Sequence, residues 1–323
     1  MPKSSPLHSI VRLPLSAEQP ICASVNFYAT VQREPAFDMH YGLEMGVVLQ
    51  GRMRRWLGDA SYDLKCGQPW FVGMWEPHGA QAVQTPCRVL VVTIWPPLLA
   101  GLRFAEAPGV DWMKIFRCDH TAPISLDAAR RNELLRLASE LAAAACGTDA
   151  LSRIRLHLLL MEALLLFLSL PILSSQLSKS RDVSGCIAPA LELALSQRRP
   201  IRAEEAAKCC QMGRERFMRI FRARMGVSFA RFSLRHRLHG AATELANTVE
   251  PIKAVARRWG FTDVSHLHRQ FIRHYRCTPN AYRRLAQNRT EAFKTEVRRD
   301  EKKHGSERRM AFGGRPPEAN GTD

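Results

Sequence analysis

Between residues 21 and 97 the hydrophobic positions fall in short runs, VNFYATV, EMGVVLQG, YDLKCG, PWFVGMW and RVLVVTIW, broken by Gly, Pro and Asp. Short runs enriched in Val, Thr and aromatic residues read as strands. Many such strands joined by tight turns predict an antiparallel barrel or sandwich. From Leu126 the period lengthens. DAARRNELLRLASELAAAA (127–145) opens on an Asp suited to cap a helix and stops at Cys146-Gly147, and residues 149–170 form a second helical run ended by Pro171. The two read as an antiparallel hairpin. Its second arm is apolar on more than one face, which predicts packing on the barrel together with a homodimer interface, Leu159 and Leu166 being the candidate contacts.

SSQLSKSRDVSG (174–185) is polar and Ser-rich, as a linker is, and the pattern beyond it is helical as far as Ala286. The fold class expected is α+β in two domains: a flexible N-terminus (1–20), a strand-rich barrel (21–125), a helical hairpin for dimerisation (126–173), the linker (174–185) and an all-helical domain (186–286). The remainder, 287–323, has mixed charge and little to bury, and is expected to be disordered.

The charge of +17 changes this picture because it is unevenly placed. Residues 196–290 hold 21 Lys and Arg against 6 Asp and Glu, whereas residues 291–323 hold 8 against 7. Concentrated positive charge on a helical region is the footprint of a nucleic-acid-binding module, with an anionic membrane surface the weaker alternative. The nine cysteines form no CxxC pair, and Cys209-Cys210 reads as buried thiols rather than a redox or soft-metal pair. LHLLLMEALLLFLSLPIL (156–173) carries Glu162 in mid-span, which would cost about 2.5 kcal/mol or more in a bilayer, so no membrane span is expected. The N-terminus lacks the apolar core of a signal peptide, and a cytoplasmic location follows.

Shifting the basic region against itself by 50 residues reveals a repeat. Ala206, Phe217, Arg219 and Phe221 recur as Ala256, Leu267, Arg269 and Phe271. Each copy has a short helix, a turn (CQMG, 210–213; WGFTD, 259–263) and a second helix with Arg-x-Phe, a helix-turn-helix layout occurring twice. Residues 228–245 between them read as one helix of about 27 Å, which with its flanking turns sets the second helices about one DNA turn apart. SHLHRQFIRHYRC (265–277) brings His266, His268, His274 and Cys277 together in sequence. A metal site is disfavoured, since side chains two apart on a helix point about 200° from each other.

The layout Ala206, GRERFMRIF (213–221), Gly226, Arg237, Ala241, Leu245, Ala256, Gly260-Phe261, Ser265, Arg269, Phe271, Thr278-Pro279 and Tyr282-Arg283 resembles the AraC/XylS-type DNA-binding domain of bacterial transcription regulators. The resemblance covers about 100 residues, from near Ile187 to Leu285. It implies that a long helix joins two helix-turn-helix units whose second helices enter successive major grooves. That family usually has Ser where Gly213 stands and Gly where Arg276 stands. By position, Arg214, Glu215, Met218 and Arg219 of the first unit and Val264, Ser265, His268 and Arg269 of the second are the base-reading candidates. Arg can grip guanine O6 and N7, and Glu can accept from cytosine N4. Arg222, Arg231, Arg273 and Arg283 are the phosphate candidates, fixing register without reading sequence.

In the strand region, Asp38-x-His40-x3-Glu44-x6-Gly51 and Gly67 followed eleven residues later by His78 resemble the two cupin motifs, with Asp38 where a ligand histidine usually stands. The barrel is therefore expected to be cupin-like, with Asp38, His40, Glu44, His78, Trp56 and Trp75 as effector contacts. No metal and no other cofactor is assigned, although Asp38, His40, Glu44 and His78 are the set that would hold a metal. The resulting reading is an effector-responsive regulator with no enzymatic activity, an activator in expected sense. Its partners would be double-stranded DNA, a small-molecule effector, a second copy of the chain and RNA polymerase. A metal-dependent cupin enzyme carrying a DNA-binding domain, and a ligand-independent DNA-binding regulator, are the alternatives.

Overall fold

The computed structural model describes residues 9–10, 13–57, 60–107, 110–118, 122–169 and 186–287. The expected linker at 174–185 and the tail beyond residue 287 lie outside them, as does most of the stretch before residue 13. The N-terminal half is one seven-stranded sheet: β1 (Ser9–Ile10), β2 (Ile21–Tyr28), β3 (Ala36–Met39), β4 (Leu43–Leu57), β5 (Ala60–Lys65), β6 (Pro69–Val72) and β7 (His78–Ile94). All pairings are antiparallel except the two-residue pair β1–β3. The long strands β4 and β7 run side by side at the centre. β2 and β3 share the other edge of β7, and β5 and β6 share the other edge of β4.

The expected closed barrel is not what these pairings make, because the sheet order does not return on itself. Its cause lies in β4. The ladder with β7 slips at Val48, Gln50 and Arg52, around Gly51, whose φ of 75° is open to glycine and whose position leaves no room for a side chain against the Gln84 and Pro86 carbonyls. A strand bent by bulges can serve two neighbours in succession, β6 before the bend and β5 after it, without closing a ring.

Helix α1 (Pro96–Gly101) follows β7, and the hairpin consists of α2 (Ala128–Ala145) and α3 (Ala150–Leu168). Asp127 and Asp149 cap the hairpin helices, accepting from Arg130 N and from Leu151 and Ser152 N. The α2 helix lies against β2 and β4. α3 buries Leu156, Leu159, Leu160, Ala163, Leu164 and Phe167, so Leu159 belongs to the core rather than to an outer face.

The C-terminal half comprises α4 (Ala188–Ser196), α5 (Ala203–Cys209), α6 (Arg214–Met225), α7 (Phe229–Asn247), α8 (Ile252–Arg258) and α9 (Val264–Tyr275), with a last helical stretch over 279–287. Its cores are unequally shared. Phe217, Phe221, Phe229 and Phe232 join one continuous apolar core with the sheet and the hairpin. Leu238, Ala241, Leu245, Val255, Phe261, Leu267, Phe271 and Tyr282 form a separate one.

Candidate nucleic-acid interface and acid-histidine cluster

Helices α5 and α6 make the first helix-turn-helix, α8 and α9 the second, and α7 spans roughly 28 Å between them at 1.5 Å per residue. The two copies are not identical. Each first helix ends on a left-handed residue, Gln211 or Gly260, followed by a backbone bond back to an alanine: Met212 N donates to Ala207 O, and Phe261 N to Ala256 O. Ala207, not Ala206, is therefore the partner of Ala256, and the offset of 49 becomes 50 because the second turn is one residue longer. Both second helices end on a left-handed C-cap, Gly226 with φ 70° and Arg276 with φ 58°. The Arg276 backbone sits in the region that costs a side chain about 1 kcal/mol. At the other end Asp263 caps α9 through His266 N, whereas Gly213 offers α6 no side-chain cap.

Burial sorts the recognition helices into two faces. Phe217, Ile220 and Phe221 of α6 and Leu267 and Phe271 of α9 point inward. The eight base-reading candidates, Arg214, Glu215, Met218, Arg219, Val264, Ser265, His268 and Arg269, are all exposed, as are Arg222, Arg231 and Arg273. Arg214 Nε also lies 2.8 Å from Glu204 Oε1, which steadies the start of α6 against α5. Arg283 is half-buried. Its guanidinium donates to the carbonyls of Leu245 and Glu250 and props the corner after α7. Of the four groups in 265–277, His266 bonds Thr262 Oγ1 and His274 packs edge-on to Tyr275, and no metal-sized grouping of them occurs among the described residues.

The second unit is seated on α7 by residues that the sequence reading left without a role. Buried Arg237 donates to Trp259 O at 3.3 Å and Gly260 O at 2.8 Å. Trp259 Nε1 donates to Glu244 Oε2 at 2.9 Å, and its ring covers Gly240 so closely that a Cβ there would fall about 1.9 Å from it. A glycine inside α7 is thus the space that the indole occupies.

In the sheet half, Asp38, His40, Glu44 and His78 do converge. Asp38 on β3 pairs directly with His78 on β7, His40 follows β3, and Glu44 lies on β4. His78 Nε2 is 2.5 Å from Asp38 Oδ1 and 3.6 Å from Glu44 Oε2, and His40 Nε2 is 3.2 Å from Glu44 Oε2. Glu44 Oε1 accepts from Arg55 Nη2 at 2.9 Å and from Trp70 Nε1 at 2.7 Å. Burial alone would lower the His78 pKa, but the charge of Glu44 and the bond to Asp38 override it and raise the pKa to about 10. Burial acts in the opposite sense on Glu44, and the charge of His78 with bonds from His40 and His78 holds its pKa well below the ordinary carboxylate value. Arg55 was missed. The signal was available: Met53, Arg55 and Leu57 share the inward face of β4, and an inward cation demands an acid. Trp75 and Trp56 stand at the margin, Trp75 N donating to His40 O at 2.7 Å and the Trp56 ring lying 5.7 Å from Phe37. A groove of about 310 Å³ lined by Pro20, Ile21, Arg153, Ile154 and His157 shares no residue with this cluster.

Comparison with known proteins addresses the C-terminal half. A family model described as a helix-turn-helix domain matches residues 206–285. An HTH-type transcriptional regulator of Haemophilus influenzae is 32% identical over 81 residues, 25% of this chain and 27% of that protein. The chain carries a helix-turn-helix domain. Among solved structures, an AraC-type regulator from Chromobacterium violaceum is 22% identical, covering 31% of this chain and 90% of that one at a TM-score of 0.30. The DNA-binding domain of AdpA, solved with a target DNA, is 27% identical over 32% of this chain and 94% of its own, with a TM-score of 0.31. ToxT from Vibrio cholerae covers 82% of this chain and 97% of its own at 13% identity and a TM-score of 0.41. The matched stretch contains both turns, both C-caps and the Arg237 and Trp259 seat described above. No helix among the described residues is long and apolar enough to cross a membrane.

Proposed function

We propose that the chain is an effector-responsive transcription regulator, with activation as its expected sense, that reads two successive major grooves. The observation that carries the DNA reading is the pair of helix-turn-helix units at opposite ends of α7, each presenting an exposed basic helix. The roughly 28 Å length of α7 between them suits adjacent grooves on one face of a duplex. A footprint on DNA upstream of the gene, repeated with Arg269→Ala, tests it: protection of two segments about 10 base pairs apart is expected, and a single protected segment would count against the second unit as a reader.

Responsiveness is supported by the contacts of α7 with the sheet. His239 Nε2 donates to Met39 O at 3.2 Å, and the Phe232 ring packs edge-on against Trp75 at 4.8 Å. Met39 lies between Asp38 and His40, and Trp75 N holds His40 O, so a ligand that shifts the cluster pulls on the helix carrying both DNA-reading units. A cupin-like role for the open sheet, as an effector pocket rather than an enzyme site, fits this arrangement. Dimerisation through α3 is retained with different residues. Leu151, Ile154, Leu158 and Leu165 are exposed at spacings of three, four and seven, the stripe of a two-helix seam, and a second copy of the same stripe is its natural partner.

A further inference from the structure

Three of the nine cysteines meet where the first helix-turn-helix unit begins, and DNA reading uses none of them. Cys186 stands immediately before Ile187, the N-cap of α4, and Cys210 is the C-cap of α5, two helices packed on each other. Cys209 is exposed and Cys210 half-buried, so the two are not the buried thiols expected from the sequence. The Cys210 side chain packs on the core that contains Ile187 and Ala190, and the Ala190 N–H faces its sulfur. Cys186 lies at the same place, close enough that the charge of its thiolate acts on Cys210, with its own Sγ 3.9 Å from Ala100 O. Residues 186 and 190 are about one helical turn apart, roughly 5.4 Å. A disulfide bridges gaps of that size, about 4.4–6.8 Å between Cα atoms.

We propose that Cys186 and Cys210 form a reversible disulfide, and that closing it tightens DNA binding by bracing both helix-turn-helix turns. The second half rests on the two-unit DNA reading above. The oxidant is a low-molecular-weight disulfide. The Cys186 thiolate attacks one of its sulfurs, the S–S bond breaks, and one small thiolate leaves. The Cys210 thiol then gives up its proton and displaces the second small thiolate from Cys186, which closes the Cys186–Cys210 bond. The two cysteines lose two electrons and two protons, and the small disulfide gains them as two thiols. The order of attack follows the surroundings. Burial pushes the Cys210 thiol up to about 11 against the opposing pull of the Ala190 N–H, whereas the cation of buried Arg224 lies beside Cys186. The loop so closed, residues 187–209, reaches both turns. Cys210 opens the first: its N–H donates to Ala206 O and Ala207 O, and the left-handed Gln211 follows. The middle of the loop lies on the second. Arg198 stacks over the Trp259 ring at 5.2 Å, and a Cβ on the left-handed Gly260 would fall 2.9 Å from Arg198 O. A covalent loop orders both turns before DNA arrives, and freedom already removed is not lost again on binding.

The test uses the full chain, reduced and then equilibrated with mixtures of reduced and oxidised glutathione. Peptide mapping without reductant should show residue 186 joined to residue 210, reversibly, in wild type and in Cys209→Ser alike. Cys186→Ser and Cys210→Ser should lose the link, with circular dichroism unchanged; Cys186→Ala and Cys210→Ala replace them if serine unfolds the chain. A folded wild type that gives no such link, whether it stays reduced or keeps glutathione as a mixed disulfide, overturns the site, as does a link that runs to Cys209. Affinity for the DNA upstream of the gene is then compared between the reduced and oxidised chains. A several-fold gain on oxidation, kept in Cys209→Ser and absent from Cys210→Ser, supports the bracing role. A link without that gain overturns the role while the disulfide stands. A chain that shifts no DNA in either state removes the DNA reading and the bracing role together, and the peptide map still decides the bond.

Discussion

His239 occupies a position where an imidazole can serve only while uncharged. Burial lowers its pKa from 6.5 to about 4, against the opposing effect of its bond to Met39 O. The folded pKa lies below the unfolded one, so the residue costs nothing above pH 6.5. As the pH falls from there toward 4, the unfolded chain takes a proton that the folded chain refuses, and stability drops by up to about 1.4 kcal/mol per unit. Between pH 7 and 5 this amounts to about 2 kcal/mol. His239→Gln keeps an N–H for Met39 O without the titration. Urea unfolding should show a shallower acid loss in this variant than in wild type, and equal slopes would refute the assignment. The recognition residues divide in the same way, by environment. His268→Ala and Arg269→Ala are expected to relax preference at about one to three base pairs, each good contact being worth about 1–3 kcal/mol. Arg273→Ala should weaken binding to all sequences alike and lower the salt slope by about one. Binding-site selection with salt titrations separates the two outcomes. At this scale the sequence was legible where a residue's neighbours are close along the chain, as for Asp127 at the start of α2. It was opaque where a partner lies far away, as for Arg283 with Leu245 and His239 with Met39.

Helix bounds were readable because caps announce them: the run read as 127–145 and α2 (Ala128–Ala145) agree to within a residue. The inward face of a helix apolar all round was not. α3 exposes Leu158 at 65% and buries Leu159 at 6%, one residue apart and with no difference in chemistry between them. Leu158→Glu is therefore expected to give a folded monomer, and Leu159→Glu to unfold the hairpin by burying a carboxylate, at a cost of several kcal/mol. Sedimentation and circular dichroism on the pair distinguish a seam from a core; a Leu158→Glu protein that still dimerises would place the interface elsewhere. In α9, Arg276→Gly should relieve the left-handed C-cap and stabilise the second unit by about 1 kcal/mol, seen as slower amide exchange along α9. Strand runs were legible through their Val, Thr and aromatic content and the turn residues between them, whereas the failure of the sheet to close was not, since it depends on where β4 slips against β7.

Across the whole molecule, the first helix-turn-helix unit shares its core with the sheet and the second does not. A fragment of residues 186–287 would leave Phe232 without Trp75 and His239 without Met39 O. It should still shift promoter DNA in a salt-dependent manner, yet unfold at lower denaturant concentration than the full chain. Equal midpoints would mean that the shared core contributes nothing. Charge placement made the division of labour readable from the sequence, but this asymmetry needed contacts between residues as far apart as Met39 and His239. The unbroken helix α7 has one more consequence. On the proposed two-groove reading, two weak readers fixed on a rigid spacer behave as a bidentate chelate: once one is engaged, the other meets its groove at an effective concentration near millimolar, with no new contact required. That gain depends on phase. Inserting one alanine near the middle of α7, around Leu238, turns the second reader by about 100° while advancing it only about 1.5 Å. Each reader would keep its own fold and intrinsic affinity, and the multiplication of the two would be lost.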